Sequence, residues 1–414
     1  MYNWAYYERK YKRWILDIQV SNFLKILRAV FDDKKEISLT EPVDWNLLSE
    51  IARRQNILPL FFEGAASIED YVNANVYAKD QLDTFSMVAE QIQRSSEFSN
   101  IYKKIAKQGI YPIVMKGIIC RQLYGELGEH RPSSDEDILV EIKDFHKVQE
   151  ILEQEDYVCD VSDITEKKLI QLQEVSFRNF EQKLTLEVHT NIIGKENDER
   201  SRMNDFFQNV HEHGQMVRVY GTEFKTLEPT DALLFLILHA YKHFQNRGVG
   251  IRQAMDILLY YEEYKDKISM KYLQKALETC KAESFWIDIL YIGNYYLGLT
   301  KENPEITCCP EELLQDMIYA GVFGKEGKTD HVAARVNLGA QDGSSRLMKA
   351  LFPSKQILVA GRPYLADKPW LLPVAWVDRW IKFLRYAGKD VWKIGHEILE
   401  KSSARMEIIK KYKK

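Results

Sequence analysis

Two aspartates two residues apart, Asp135 and Asp137, carry the clearest chemical potential in this chain. They open the run Asp135-Glu136-Asp137-Ile138-Leu139-Val140, whose second half is apolar and reads as a buried strand. Alternate residues of a strand project to the same face, so both carboxylates are expected side by side. Like charges that close repel unless a cation sits between them. Hard oxygen ligands suit Mg²⁺. A third carboxylate, Glu187, stands in Leu184-Thr185-Leu186-Glu187-Val188-His189. There Leu184, Leu186 and Val188 alternate as a buried face, which leaves Thr185, Glu187 and His189 on the other. Burying a carboxylate uncompensated costs several kcal/mol, and metal binding would remove that cost.

The elements that must position these groups begin upstream. Tyr111-Pro112-Ile113-Val114-Met115 is short and apolar, as a buried strand should be. Gly117 then lets the backbone turn closely, and Ile118 to Leu127 has helical spacing with Ile119, Leu123 and Leu127 on one side. Lys116, at the turn before a helix N-terminus, is placed to meet phosphate charge, with the helix amides adding to it. Arg131, four residues before Asp135, could clamp a phosphate or form a surface salt bridge. Ser133 and Ser134 could cap or contact phosphate. An Asp-x-Asp pair alone marks many solvated loops. The order of elements gives it weight: strand, glycine turn, helix, Asp-x-Asp strand, acidic strand.

The wider pattern is α+β. Residues 1–108 read as an N-terminal helical region, 109–228 as the catalytic core, and 229–414 as a mainly helical domain. In the first region residues 1–31 look helical, Asp44 is an N-cap, Pro59 interrupts a helix, and a long helix from Val76 to Gln108 is marked by Phe85, Val88, Ile92, Phe98, Ile101 and Ile105. Gly109 stands where a helix stop belongs. In the core, Ser176–Phe180 and Leu184–Ile192 read as an antiparallel pair, and residues 217–220 and 224–227 as a hairpin around Gly221. Thr230 reads as the N-cap of the next helix. Further helices follow to Leu297, with a last amphipathic one from Trp376 to Leu384. Ala340–Ser345 reads as a Gly/Ser-rich flexible stretch, Leu351-Phe352-Pro353 and Pro363–Pro373 as an extended crossing segment, and Ile408–Lys414 as a solvated helix tail.

Bulk properties narrow the class. The chain has 414 residues, enough for two or three domains, with 45% hydrophobic and 29% charged residues. Net charge is -4 with both signs mixed, and no basic-aromatic stripe is evident, so a nucleic-acid partner is not expected. Five cysteines without a CxxC pair point to reduced thiols and a cytoplasmic compartment. The adjacent pair Cys308-Cys309 is read as a reduced loop feature. Met1-Tyr2-Asn3-Trp4 lacks a basic region followed by an apolar run, so no signal peptide is expected. No apolar stretch is long enough for a membrane span.

The motifs resemble the nucleotidyltransferase superfamily with a DNA polymerase β-type core. Within it they are similar to an uncharacterised bacterial nucleotidyltransferase family. Met115-Lys116-Gly117, Leu123-Tyr124, Arg131-Pro132, Asp135-Glu136-Asp137-Ile138-Leu139-Val140 and Glu187-Val188-His189 carry the likeness. His239, His243, Asp256, Leu351-Phe352-Pro353-Ser354 and Pro369-Trp370-Leu371-Leu372-Pro373 extend it, so that it covers about Ile51 to Leu384. The resemblance implies a polymerase β-type core flanked by helical regions. It implies transfer of NMP from an NTP to a hydroxyl of a small molecule, sugar or protein by a two-metal mechanism, with two Mg²⁺ bridged by Asp135 and Asp137 and Glu187 completing the acceptor-side ion. Lys116, Gly117, Arg131 and Ser134 are candidates for the nucleotide, His189 for a carboxylate bond, the substrate or a structural role, and His239 and His243 for packing the helical domain on the core or lining the acceptor pocket. One departure is plain: Lys116-Gly117 stands where the wider superfamily carries Gly-Ser to hold the triphosphate.

Two other readings compete. His239 and His243 stand at i and i+4 with Asp256 a helix later, a spacing that can hold Zn²⁺ in a hydrolase. The glutamate of the zinc-protease motif is missing, since Ala240 follows His239. The other alternative is a binding or regulatory protein with a retired active site, against which stands the presence of all three carboxylates.

Overall fold

The computed structural model describes residues 18–32, 37–159, 161, 164–172, 174–192, 202–246, 248–320, 352, 358, 368–387 and 405–412. The expected features at 1–17, 340–345, 363–367 and 413–414 lie outside the described residues, as do Leu351 and Pro353. The chain divides into two compact units, Met1–Tyr241 with Ile251–Pro310, and Lys242–Gly250 with Glu311–Lys414.

The first unit is mixed α and β. Helices α1 (Trp45–Arg54), α2 (Leu58–Ala65) and α3 (Tyr77–Ala106) precede the sheet. Asp44 caps α1 as expected, its carboxylate accepting from Leu47 N–H at 3.0 Å. Pro59 opens α2 instead of interrupting a helix, because the first turn has no use for its missing N–H. Gly109, at φ 78°, follows the end of α3.

The sheet strands are β1 (Ile113–Val114), β2 (Asp135–Leu139), β3 (Val158–Cys159), β4 (Glu174–Asn179), β5 (Leu184–His189), β6 (Gln215–Val219) and β7 (Thr222–Thr226). Their order across the sheet is β3-β4-β5-β2-β1-β7-β6. The pairs β2–β5 and β1–β7 are parallel, and the other four are antiparallel. Between β1 and β2 lies a short helix, α4 (Ile118–Arg121), and a tight helical stretch that kinks at Gly125, so the single helix expected over 118–127 is broken. The β6–β7 turn places Tyr220 at φ 48° and Gly221 at φ 76°, two left-handed residues that suit a two-residue hairpin.

One face of the sheet is the core. Ile138 of β2, Leu184, Leu186 and Val188 of β5, and Phe224 of β7 pack there with Phe98, Ile101, Tyr102 and Ile105 of α3. Phe145 and Val148 of α5 (Phe145–Gln154) join them. Phe98 stacks on Phe224 with centroids 5.5 Å apart. Tyr102 Oη donates to Pro112 O at 3.0 Å and accepts from Lys225 N–H at 2.8 Å, tying α3 to β7 and the approach to β1.

The earlier half of α3 departs from expectation. Phe85 and Ile92 are 62% and 54% exposed, and the inward line there is polar: Asp80, Thr84, Gln91 and Ser95. These groups have work to do that an apolar side chain could not. Asp80 accepts from Ser49 and Tyr71 and pairs with Arg53, while Gln91 accepts from Ser133 N–H.

After the sheet come α6 (Pro229–Asn246), α7 (Ile251–Tyr264), α8 (Met270–Thr279) and α9 (Glu283–Ile292). Thr230 falls inside α6 and accepts from Ser269 N–H, so it is not the N-cap expected of it. The second unit holds α10 (Pro310–Ala320, entering this unit at Glu311) and α11 (Leu372–Ala387). Within it Arg405 pairs with Asp316 at 3.1 Å and donates to Phe244 O at 2.5 Å. Phe352 meets the rings of Trp376 and Trp380 edge-on.

Candidate active site

The register of β2 against β5 sets Asp137 directly opposite Glu187, with Asp135 opposite Thr185 and Leu139 opposite His189. Since Ile138, Leu186 and Val188 point into the core, Asp135, Asp137, Glu187 and His189 share the opposite face. Asp137 and His189 are wholly buried, and Glu187 and Asp135 are partly so. His189 Nε2 lies 3.2 Å from Asp137 Oδ1 and 3.8 Å from Glu174 Oε2. Asp137, Glu187 and His189 each offer a donor atom within 4.8 Å of the other two. Asp135 stands outside that tightest group, and Ser133 Oγ lies 2.8 Å from its carbonyl and 3.3 Å from its Oδ1.

Lys116 is brought in by the backbone. Met115 N–H donates to Asp137 O at 3.0 Å, continuing the β1–β2 pairing, so the next side chain falls across the carboxylates. Its Nζ lies 3.0 Å from Asp137 Oδ2, 3.6 Å from Asp135 Oδ2 and 3.4 Å from His239 Nε2. Burial works against the ammonium charge, but Asp137, Asp135 and Glu187 outweigh it and hold Lys116 well above the ordinary lysine range. Burial likewise works against ionised Asp137, yet Lys116 and His189 hold its carboxyl below the usual range. Glu187 goes the other way: burial, then the charges of Asp137 and Glu174, push its carboxyl up. The two facing carboxyls are thus driven apart, Asp137 towards its ionised form and Glu187 towards its protonated one.

Glu136, between the two aspartates, points to the opposite side. Its carboxylate accepts from Ile118 N–H at 2.9 Å and pairs with the fully buried Arg121. The start of α4, expected to offer amides to phosphate, is therefore filled from within. Gly117, at φ 65°, is needed for the same reason: a Cβ there would lie 1.9 Å from Glu136 Oε2. An acidic residue within an apolar strand was the available signal.

Arg131 is neither on the carboxylate cluster nor in a surface salt bridge. It is buried and grips Asp256 with two 2.6 Å bonds, from Nε to Oδ1 and from Nη2 to Oδ2, while Tyr124 Oη donates to Asp256 Oδ1 at 2.8 Å. A bidentate fork filled in this way is not available to clamp a phosphate. The same bonds answer the zinc-hydrolase reading, because Asp256 is committed to Arg131 and Tyr124. Ser134 is exposed beside β2, and its carbonyl accepts from Thr185 N–H at 3.2 Å. His239 reaches the site through Lys116, whereas His243 falls in the second unit.

The cluster suits a divalent cation. Asp137 Oδ2 is buried, with the Lys116 ammonium 3.0 Å away. Two carboxylates and an imidazole, with a further carboxylate from Asp135 on the same face, are a donor set such ions accept.

A family model described as an uncharacterised nucleotidyltransferase matches residues 41–298, more than half of the chain. This span contains every group of the cluster and ends before residues 351–373. Neither the curated proteins nor the solved structures yield a match to the chain. The chain belongs to that nucleotidyltransferase family.

Proposed function

From that family membership, we propose that the protein transfers a nucleoside monophosphate from an NTP to a hydroxyl acceptor on the sheet face that carries Asp135, Asp137 and Glu187. The observation that carries this reading is the pairing of Asp137 with Glu187 across adjacent parallel strands, with Asp135 two residues away on the same face. Divalent metal held by Asp137 and Glu187, with Asp135 beside them, fits the donor set, and Mg²⁺ is the ion proposed. Such an ion neutralises triphosphate charge and eases loss of the acceptor proton.

The chain's own residues supply the rest. Lys116 stays protonated and puts a fixed positive charge beside Asp137 and Asp135, at the place where phosphate charge must be met. Glu187, ionised when it holds the metal, is proposed to receive the acceptor's proton from that same face. His189 fixes Asp137 through Oδ1 and leaves Oδ2 turned towards Lys116. Glu136, Gly117 and Arg121 lock the turn that carries Lys116. The acceptor is proposed to be a small molecule, sugar or protein, since the charge of -4 does not favour a nucleic acid.

A second reading draws on the same lysine. An ammonium 3.0 Å from Asp137 and 3.6 Å from Asp135 neutralises the pair without metal, as a retired site would need. The two readings part in a melt of wild type and Asp137→Asn against the common NTPs. On the enzyme reading at least one NTP raises the wild-type Tm only with Mg²⁺, and the variant loses that rise. Equal behaviour of wild type and variant with every NTP supports the retired site.

A further inference from the structure

Asp288, Cys308 and Cys309 form a second donor cluster, unconnected with the carboxylate face. Asp288 lies on α9 and is wholly buried. The two cysteines stand in the loop beyond the helical turn Gly293–Leu297, immediately before Pro310. Cys309 N–H donates to Asp288 Oδ2 at 2.9 Å, which pins the loop to α9. Cys308 Sγ and Cys309 Sγ are 3.5 Å apart, and one donor atom from each of the three residues lies within 4.8 Å of the other two.

Neighbouring side chains of extended backbone project to opposite sides, so two adjacent thiols on one side need a specific turn of the chain. Here that turn also presents them to a carboxylate. A tetrahedral ion with metal–sulfur bonds of about 2.3 Å holds its two sulfurs about 3.8 Å apart. The thiols therefore stand close to chelating separation without any ion. Thiolate ligands select Zn²⁺-like ions over Mg²⁺, so the donor set differs in kind from the proposed catalytic one.

We propose that Asp288, Cys308 and Cys309 bind one thiophilic divalent cation of the Zn²⁺ class. Both thiols give up a proton on binding, and no electrons are transferred. The ion clips the loop before Pro310 onto α9. The site stands independently of the nucleotidyl-transfer reading, because it shares no residue with it.

Cd²⁺ titrated into the reduced full chain tests this, read by thiolate-to-metal ultraviolet absorption and by counting thiols that remain reactive. Wild type should bind one equivalent more than the Cys308→Ser/Cys309→Ser variant, show the absorption band the variant lacks, and protect two thiols. Asp288→Asn should weaken Cd²⁺ binding about tenfold or more. Because Asp288 is wholly buried, the serine variant decides should Asp288→Asn fail to fold. Equal absorption and equal protection in wild type and the serine variant overturn the proposal. So does full affinity in a folded Asp288→Asn, or closure of the pair to a disulfide with no metal uptake after reduction.

Discussion

Lys116 Nζ stands 3.0 Å from Asp137 Oδ2, the buried carboxylate on which the proposed metal ion would also sit. Breaking such a pair from one side leaves an uncompensated charge, at a cost of up to about 3–5 kcal/mol. Lys116→Met is expected to lower the Tm of the metal-free protein and to enlarge the Tm rise produced by Mg²⁺, since the ion then replaces the missing charge. Melts in chelator and in Mg²⁺ check this. A Mg²⁺ response no larger than that of wild type would mean that lysine and metal do not share Asp137.

Glu187 makes metal-free stability depend on pH. Its folded carboxyl titrates above the unfolded value, so the folded state binds more protons between the two. Stability then falls as pH rises from the unfolded value near 4.5 through the folded one. Glu187→Gln should remove this slope in melts run in chelator between pH 5 and pH 9, a window chosen to span about the two values. Mg²⁺ needs the ionised carboxylate, so its stabilising effect on wild type should grow across the same range. A slope unchanged in the variant would assign it to other groups.

The Arg131–Asp256 pair is predicted to be structural. Either Arg131→Ala or Asp256→Ala should destabilise by about 3–5 kcal/mol, because each leaves its partner charged and buried. Urea unfolding of the two single variants and the double variant gives the coupling. Near-additive losses would deny that the two side chains act as a unit.

Gly117→Ala places a methyl group against Glu136 Oε2 at a left-handed backbone position. The turn carrying Lys116 must shift, so Mg²⁺-dependent NTP binding should weaken by more than the loss in Tm would suggest. Gly109→Ala is the control, since it shares the left-handed φ but meets nothing within 4 Å. Equal effects of the two substitutions would remove the special role of Glu136.

Much of the site could be read from sequence because strand alternation has a period of two. It put Asp135 with Asp137, and Glu187 with His189, on single faces before any strand was paired. What it could not supply was register: only the pairing of β2 with β5 sets Asp137 against Glu187. Arg131 was misplaced for a related reason, since its partner Asp256 lies 125 residues along the chain. Phe85 and Ile92 mark the helical spacing of α3 but are exposed, because the inward line of α3 there serves polar groups of α1 and of the residues before β2. The role of Glu136 is not visible in the sequence although it neighbours both aspartates, because it depends on the amide of Ile118.

The most direct measurement follows the α-phosphate. NTPs labelled at that phosphate are incubated with Mg²⁺ and with separated small-molecule and protein fractions of a cell extract. Nucleotidyl transfer predicts that wild type moves label to an acceptor with release of pyrophosphate, and that Asp137→Asn and Glu187→Gln do not. Label moved equally by wild type and both variants, or transfer of the γ-phosphate with the α-phosphate left on the nucleotide, would contradict it.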